Sequence, residues 1–352
     1  MITFEDLLKK ASEMNASDVH LTVGIPPIMR INGNLVPFGE DKFTPKEIEK
    51  CVKEILNEDQ LDKYNEFGEI DLSYSLNGVG RFRINIFRQR GSSAIALRTV
   101  PLQVPTLDKL GMPQIIKDLT KKTRGLILVT GPTGSGKSTT LAAMINEINS
   151  TRSTHIITLE DPIEYLHKHK KSIVNQREIG YDTKSYASAL RASLREDPDI
   201  ILIGDIRDLE TISIALTAAE TGHLVLSTLY TMGASKSIDR IVDVFPPYQQ
   251  QHIRIQLAAV LEGVIYQQLI PKADGNGRVA ALETMVATSA IRNLIREGKT
   301  YQIDSTIQTG GKYGMKTMDM SLVELYKSGV INYDDAMAYA ADREIMSRLI
   351  NL

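Results

Sequence analysis

The chain has 352 residues and an ordinary globular composition, with 42% hydrophobic and 24% charged residues, which allows two or three domains. Its formal net charge of −2 argues against general nucleic-acid binding, and its single cysteine excludes an internal disulfide and a multi-cysteine zinc site. No run approaches the roughly 20 apolar residues that span a bilayer, and the first residues do not form a signal peptide. We therefore expect a cytoplasmic protein that reaches any membrane through a partner.

The N-terminal part has the pattern of short helices and strands. Apolar residues recur at helical spacing over 3–14, and strands are predicted over 17–23 and 27–31. Residues 32–34 read Asn-Gly-Asn, which is typical of a hairpin turn. Thr44 is the candidate N-cap of the next helix, because Pro follows it.

Two further strands of this part carry arginines. The segment 81–90 alternates between apolar and polar residues, which places Arg81 and Arg83 on one face. The strand that follows, 94–100, carries Arg98. Beyond it a proline-rich run favours neither helix nor strand, so we predict an interdomain linker over 101–113.

The most specific motif is a phosphate-binding loop. Residues 131–138 match the pattern G-x-x-x-x-G-K-[ST], with the apolar run 125–130 before them and a helical pattern after them. The glycines let backbone N–H groups turn toward phosphates, and the helix N-terminus adds a positive dipole. Lys137 would neutralise charge on the β- and γ-phosphates of ATP, and Ser138 would hold Mg²⁺. The residues predicted to bind the nucleotide are Gly131, Pro132, Thr133, Gly134, Ser135, Gly136, Lys137, Ser138 and Thr139.

From about residue 124 to residue 270, apolar strands alternate with amphipathic helices, which predicts an α/β domain with a largely parallel sheet. The predicted strands are 125–130, 155–159, 200–203 and 224–228. The remaining part has a helical pattern. Its predicted helices are 290–297, 318–327 and 333–351.

Acidic residues follow two of these strands, at the edge where open parallel sheets bind ligands. Glu160, Asp161 and Glu164 come after one strand. They could serve beside Mg²⁺ and an attacking water, or they could cap a helix, and their pattern does not separate these two roles. Asp205 follows another apolar strand and would hold Mg²⁺ through water or activate the nucleophile. His223 precedes the next strand, where a single histidine is more often structural than catalytic.

Together these blocks resemble the secretion ATPase superfamily, which powers type IV pili and type II secretion. The segments that carry the resemblance are 131–138, 157–164, 176–180, 190–199 and 221–223. The segment 290–297, Ala-Ile-Arg-Asn-Leu-Ile-Arg-Glu, is similar to a signature of the pilus-retraction branch, and 16–21, 308–310 and 314–319 fit the same branch. Extension and secretion motors usually carry an extra N-terminal domain and a four-cysteine zinc module, which a chain with one cysteine lacks.

The resemblance implies an α/β fold with four parts. A PAS-like α+β domain would span 1–100, with the linker over 101–113, a RecA-like P-loop ATPase core over 114–288 and a helical C-terminal region over 289–352. Six copies would form a ring that hydrolyses ATP with Mg²⁺ to retract type IV pili and drive twitching motility. The implied partners are an inner-membrane platform protein of the pilus base and a paralogous motor ATPase.

The resemblance also implies roles for single residues. ATP would lie between the two domains, and the arginines of the N-terminal domain would reach its γ-phosphate. The implied catalytic residues are Lys137, Glu164, Asp205, His223, Arg83 and Arg98, with Arg81 as a further candidate. The implied metal ligands are Ser138, Glu160 and Asp205. Arg292, Arg296 and Glu297 of the retraction signature are expected to face outward.

Two positions depart from the pattern of the superfamily. Asp205 stands where the superfamily has glutamate, and Tyr230 stands where it has a second histidine. Asp205 is shorter by one C–C bond, about 1.5 Å, and misplacement on that scale can cost a hundredfold in rate. Three functions therefore stay open: a retraction motor, a weakly active or inactive paralogue that regulates another ring, and an extension or secretion motor.

Overall fold

The computed structural model describes residues 3–31, 33–100 and 103–351. The chain divides into two compact units, Met1–Gln103 with Glu164–Leu166, and Val104–Ile163 with His167–Leu352. Within the predicted linker, residues 103–113 contain no helix or strand, while positions 101 and 102 lie outside the described residues. Asn32 of the predicted hairpin turn also lies outside them. The domain boundaries drawn from the sequence stay predictions.

The first unit is an α+β domain. Its helices are α1 (Phe4–Glu13), α2 (Pro45–Ile55) and α3 (Glu58–Phe67). Its strands are β1 (Asp18–Leu21), β2 (Ile28–Ile31), β3 (Asn34–Pro37), β4 (Glu69–Leu76), β5 (Gly80–Gln89) and β6 (Ser92–Val100). They form one antiparallel sheet in the order β3-β2-β1-β6-β5-β4.

Alternation along the strands decides which face of this sheet is covered. Phe82, Ile84 and Ile86 of β5 are fully buried and pack in one cluster with apolar residues of α1 and α2. Thr44 forms a capping box at the start of α2, as its position before Pro45 predicts. The arginines between the buried positions of β5 are left on the other face.

The second unit contains a mainly parallel sheet. Its strands are β7 (Gly125–Thr130), β8 (His155–Glu160), β9 (Ile173–Glu178), β10 (Ile200–Ile203), β11 (Leu224–Leu229), β12 (Leu261–Pro271) and β13 (Arg278–Val286). Their order is β13-β12-β7-β11-β10-β8-β9, and only the β12–β13 pair is antiparallel. The parallel sheet confirms the α/β prediction, whereas the β12–β13 pair was not predicted.

Helices lie between and after these strands. They are α4 (Gln114–Thr120), α5 (Lys137–Thr151), α6 (Tyr186–Ser193), α7 (Leu209–Glu220), α8 (Ala234–Asp243), α9 (Pro247–Val260), α10 (Ser289–Arg296), α11 (Ile303–Thr309), α12 (Met318–Lys327), α13 (Tyr333–Tyr339) and α14 (Arg343–Asn351). Alternate residues of β7, β10 and β11 belong to two different buried clusters. Both faces of these strands are therefore covered, which explains why the strands are continuous apolar runs. None of the described helices combines the length and the apolar character needed to cross a bilayer.

One predicted helix is wrong. The segment 333–351 forms two helices, α13 and α14, because the backbone is extended at Ala340. The buried carboxylate of Asp319 accepts hydrogen bonds from the N–H groups of Ala341 and Asp342, at 2.7 and 3.1 Å. These contacts hold the two residues between the helices, and the Asp342 carboxylate in turn accepts from the N–H groups of Glu344 and Ile345 in the first turn of α14.

Candidate active site

The phosphate-binding loop connects β7 to α5 and contains three glycines in conformations that other residues rarely adopt. Gly131, Gly134 and Gly136 have φ angles of 144°, 77° and 86°. A Cβ atom at Gly131 would lie 2.4 Å from the carbonyl oxygen of Gln267, so only glycine fits there. The loop is therefore packed directly on strand β12.

The side chain of Gln267 in β12 holds the loop through hydrogen bonds. This side chain is 2% exposed, and its amide nitrogen donates to the carbonyl of Ser135 at 2.6 Å. Its amide oxygen accepts from the Thr140 hydroxyl at 2.7 Å. One glutamine thus ties the loop and the first turn of α5 to the sheet. Gln267 was not predicted as a site residue, although a polar residue inside an apolar strand was a usable signal.

Lys137 begins α5 and is buried. Its ammonium group donates to the carbonyls of Gly131 and Pro132, at 2.9 and 2.8 Å. It also lies over the ring of Tyr230, 4.1 Å from the centroid. The lysine is thereby folded back over the loop whose N–H groups are suited to phosphate.

Asp205 lies just beyond the carboxyl end of β10, two strands away from the phosphate-binding loop. The Thr228 hydroxyl donates to the carbonyl of Gly204 at 2.7 Å, which links this turn to β11. The Asp205 side chain is 11% exposed, and burial raises the pKa of its carboxyl group, an effect that the nearby Arg207 and Lys137 oppose. Its Oδ1 atom is buried and has no hydrogen-bond partner among the described residues.

Arg207 and Tyr230 complete this group. The Nε–H of Arg207 donates to Oδ2 of Asp205, and the guanidinium lies 5.0 Å from the centroid of the Tyr230 ring. Asp205, and after it Tyr230, raises the pKa of Arg207, so this arginine stays a cation. The prediction singled out Tyr230 only as a departure from a pattern. The structure places it in contact with both cations of the site.

Further polar groups follow β8. Glu160 accepts from the Thr158 hydroxyl at 2.6 Å and from the Gln176 amide at 3.1 Å. The Tyr186 hydroxyl lies 2.9 Å from where a Cβ atom of Gly204 would stand, so a larger residue next to Asp205 would displace this hydroxyl. Burial raises the pKa of Tyr186, and nearby carboxylates add to this effect, so its hydroxyl stays protonated. Tyr186 was not predicted as a site residue.

His223 lies at the opposite edge of the sheet from the phosphate-binding loop of its own chain, and its role as a catalytic residue stays a prediction. It precedes β11, and its carbonyl accepts from the N–H of Gly125 at the start of β7. The six residues of each strand separate it by about 20 Å from the phosphate-binding loop. The His223 ring faces the carbonyl of Ala218 at 2.9 Å, which is a structural contact at the end of α7.

Three predicted catalytic residues belong to the other compact unit. Glu164 is exposed and is grouped with the N-terminal unit. Arg83 and Arg98 are exposed and directly opposite each other on β5 and β6. Arg98 donates to Asp18 of β1 at 2.9 Å, and Arg30 of β2 lies 3.7 Å from the same carboxylate. Their roles at the nucleotide stay predictions.

These four charged residues form one row across the antiparallel sheet. Arg83 pairs with Arg98, Arg98 with Asp18, and Asp18 with Arg30 in the strand register. We call Arg83, Arg98, Asp18 and Arg30 the arginine row. Burial opposes ionisation of Asp18, but hydrogen bonds from Arg98 and Ser17 lower its pKa overall, so it is the fixed anion of the row.

The retraction signature forms α10, and one of its arginines does not face outward as expected. Arg292 donates to the carbonyls of Ala258 and Ala259, at 2.7 and 2.8 Å, and to Glu262 at 2.8 Å. These carbonyls end α9 and would otherwise lack partners. Arg296, by contrast, is exposed, so only part of the signature is available to a partner.

The chain matches a known family over most of its length. A model of the family described as "Type II/IV secretion system protein" matches residues 3–318. The type IV pilus retractation ATPase PilT of Pseudomonas aeruginosa is 50% identical over 94% of this chain and 96% of its own length. A twitching motility protein of Neisseria gonorrhoeae is 49% identical over 91% of this chain and 86% of its own length.

Solved structures agree with these relatives. A crystal structure of the pilus retraction motor PilT with bound ADP has a TM-score of 0.92 and 51% identity, and the match covers 99% of this chain and 100% of that one. The ATPase DotB of Legionella pneumophila has a TM-score of 0.83 and 28% identity, with 95% and 94% covered. Both confirm the predicted succession of an N-terminal sheet domain and an ATPase domain.

Proposed function

Because the chain belongs to the type II/IV secretion system protein family, we propose that it is an ATPase that powers the retraction of type IV pili. The observation that carries the proposal is the arrangement at one edge of the sheet, where the phosphate-binding loop with Lys137 follows β7 and Asp205 follows β10, with β11 and Tyr230 between them. The retraction ATPase and the twitching motility protein, each about half identical over nearly the whole chain, support the same activity.

The geometry supplies the parts that ATP hydrolysis needs. The loop and the N-terminus of α5 offer backbone N–H groups to the phosphates, and Lys137 adds a cation. The site stabilises charge on the transferred phosphoryl group, which is the main task in this reaction. Glu164 is the candidate for orienting the attacking water. Arg83 and Arg98 are the candidates for reaching the γ-phosphate, since a planar guanidinium gives two directed donors.

The residues present also fit a magnesium ion. No group of three His, Cys, Asp or Glu side chains that could form a metal cage occurs in the part of the chain that the structure describes. Magnesium at nucleotide sites needs no cage, because one or two carboxylates and the phosphates usually suffice. Ser138, Glu160 and Asp205 would hold the ion, and the buried, unpartnered Oδ1 of Asp205 is suited to it. Bound there, the ion would neutralise phosphate charge.

The assembly is part of the proposal as well. Six copies would form a ring, and movement of the arginines with nucleotide state would convert hydrolysis into rotation between domains. The ring would act in the cytoplasm at the base of the pilus, where it would engage an inner-membrane platform protein. A paralogous motor ATPase is a further candidate partner.

The proposal is tested in cells that depend on this chain for pilus function. Replacing Lys137 by alanine should leave pili on the surface and abolish twitching, because nucleotide can no longer be processed. Lys236→Ala, an exposed lysine of α8 in the same unit, is the matched control and should twitch normally. Normal twitching with Lys137→Ala would contradict the proposal.

Asp205 and Tyr230 favour a second candidate function, a weakly active paralogue that regulates another motor. The shorter carboxylate at position 205 would place water and metal less well than glutamate. This candidate predicts that the purified chain binds ATP but turns it over little. An extension or secretion motor is a weaker alternative. The type II secretion system protein E of P. aeruginosa is only 35% identical over 75% of this chain, less than the retraction ATPase on both measures.

A further inference from the structure

Tyr230 lies between the two cations of the candidate site. It follows β11, the strand between β7, which leads to the phosphate-binding loop, and β10, which leads to Asp205. Its ring centroid is 4.1 Å from Nζ of Lys137 and 5.0 Å from Cζ of Arg207. The face of an aromatic ring attracts cations, so one side chain holds two positive groups that would otherwise repel each other.

Arg207 depends on such support. Its side chain is 71% exposed, and an exposed arginine loses much rotamer freedom when it is held in one geometry. Here the carboxylate of Asp205 holds it on one side, and the Tyr230 ring contacts its guanidinium. The ring is therefore a platform that keeps Arg207 on Asp205.

The position of Arg207 in turn fixes the Asp205 carboxylate. Arg207 occupies Oδ2, while Oδ1 is the buried atom without a partner among the described residues. Aspartate has one methylene less than glutamate with which to reach a ligand, so its orientation matters more. An unrestrained Asp205 could rotate and offer the wrong oxygen.

We propose that Tyr230 is a positioning residue for ATP hydrolysis, which holds Arg207 against Asp205 and thereby orients the free carboxylate oxygen. This inference rests on the proposed ATPase function. It assigns most of the work to the aromatic ring of Tyr230 and a smaller part to its hydroxyl, which also interacts with Arg207, so phenylalanine should largely replace it and an aliphatic side chain should not.

The test compares Tyr230→Phe and Tyr230→Leu in steady-state ATP hydrolysis by the purified full-length protein. Tyr230→Leu should lower kcat by about tenfold or more, since a misplaced catalytic group is costly. KM for ATP should change by less than about threefold, because Lys137 keeps its two carbonyl acceptors. Tyr230→Phe should keep kcat within about twofold of the wild type.

Two further variants isolate the route through Arg207. Arg207→Gln should lower kcat about as much as Tyr230→Leu, and the double variant should be little worse than either, because both remove the same arrangement. Tyr248→Leu removes a tyrosine that is 82% exposed on α9 of the same unit and should leave kcat unchanged.

A second readout does not need turnover. An arginine-selective dicarbonyl reagent, followed by peptide mass analysis, should label Arg207 about threefold faster or more in Tyr230→Leu than in the wild type or in Tyr230→Phe. Equal labelling, equal kcat in Tyr230→Leu, or full additivity in the double variant would overturn the inference. A wild type without turnover would overturn the proposed function instead, and labelling would still decide the role of Tyr230.

Discussion

The phosphate-binding edge of the parallel sheet and the arginine row of the antiparallel sheet are two charged regions built in opposite ways. At the phosphate-binding edge, Lys137 is buried, the Asp205 side chain is only 11% exposed, and Gln267 ties the loop to the sheet. In the arginine row, Arg83 and Arg98 are exposed, and Arg98 shares one carboxylate, that of Asp18, with the half-buried Arg30. Burial makes each polar contact of the first region costly to lose, whereas water can replace those of the second.

This difference predicts unequal consequences of removing one side chain from each region. The largest effect on stability is expected for Gln267→Leu, which leaves the Ser135 carbonyl and the Thr140 hydroxyl without their partner in a buried place. Unpaired groups of this kind cost about 1–3 kcal/mol each, so for two groups the free energy of unfolding should fall by about 2–6 kcal/mol. Urea unfolding measures it.

Gln268→Leu is the matched control, because the adjacent residue of β12 points to the opposite face and is only half-buried. It should change the free energy of unfolding by less than about 1 kcal/mol. If the two leucine variants were equally stable, the support of the loop by Gln267 would be disproved.

An arginine outside both regions tests whether burial and partner number, not charge, set the cost. Arg292→Ala removes two hydrogen bonds to the end of α9 and one to Glu262 of β12, and should cost about 1–3 kcal/mol. Arg296→Ala, four residues further on α10 and exposed, should cost less than about 0.5 kcal/mol. Thermal unfolding of the two variants under one condition gives the comparison, and a reversed order would refute it.

The arginine row should tolerate the loss of its only carboxylate. Asp18→Asn keeps the shape of the side chain and removes the charge that Arg98 and Arg30 share. Because the side chain of Arg98 is 72% exposed, we expect the free energy of unfolding to fall by less than about 1 kcal/mol, and by less still at high salt. Urea unfolding at two salt concentrations checks this, with Asp71→Asn, an exposed carboxylate of β4, as control. A loss as large as that of Gln267→Leu would remove the distinction between the regions.

The last prediction concerns chemical reactivity and not stability, for a group of the N-terminal unit that carries no charge at neutral pH. Burial, followed by the neighbouring Glu54, raises the pKa of the Cys51 thiol to about 11. Thiolate is the reactive form, so alkylation at pH 8 should be about a hundredfold slower than for a free cysteine, and its rate should still rise above pH 9. Unfolding in urea should restore the ordinary rate. Rapid alkylation of the folded protein would show that this unit packs differently.

The two regions also differ in how far the sequence predicts them. The phosphate-binding loop was predicted residue by residue, because phosphate binding demands glycines and a lysine at fixed spacing. Its support by Gln267 was not, since β12 lies beside β7 and Gln267 bonds Ser135, which is 132 residues earlier in the chain, and local patterns do not encode such a pairing. His223 was expected to precede its strand and does so, which places it at the opposite edge from the loop, and its catalytic role stays a prediction.

Alternation along β5 predicted the exposed face of the arginine row, but not its register. The pairing of Arg98 with Asp18 depends on strands that are 80 residues apart in the chain. At the phosphate-binding edge, the contacts of Tyr230 were likewise not predictable from the sequence. A sequence comparison identifies it as unusual, while its contacts with Lys137 and Arg207 follow only from the order of the strands.

The central claim, that this chain is an ATP-hydrolysing motor, is tested most directly by steady-state ATP turnover with Mg²⁺. The wild type should turn over ATP at least about a hundredfold faster than Lys137→Ala, because that variant loses the cation at the phosphates. Turnover that survives in Lys137→Ala would contradict the assignment of the site. Little wild-type turnover that is restored by Asp205→Glu together with Tyr230→His would contradict the motor and identify a regulatory paralogue.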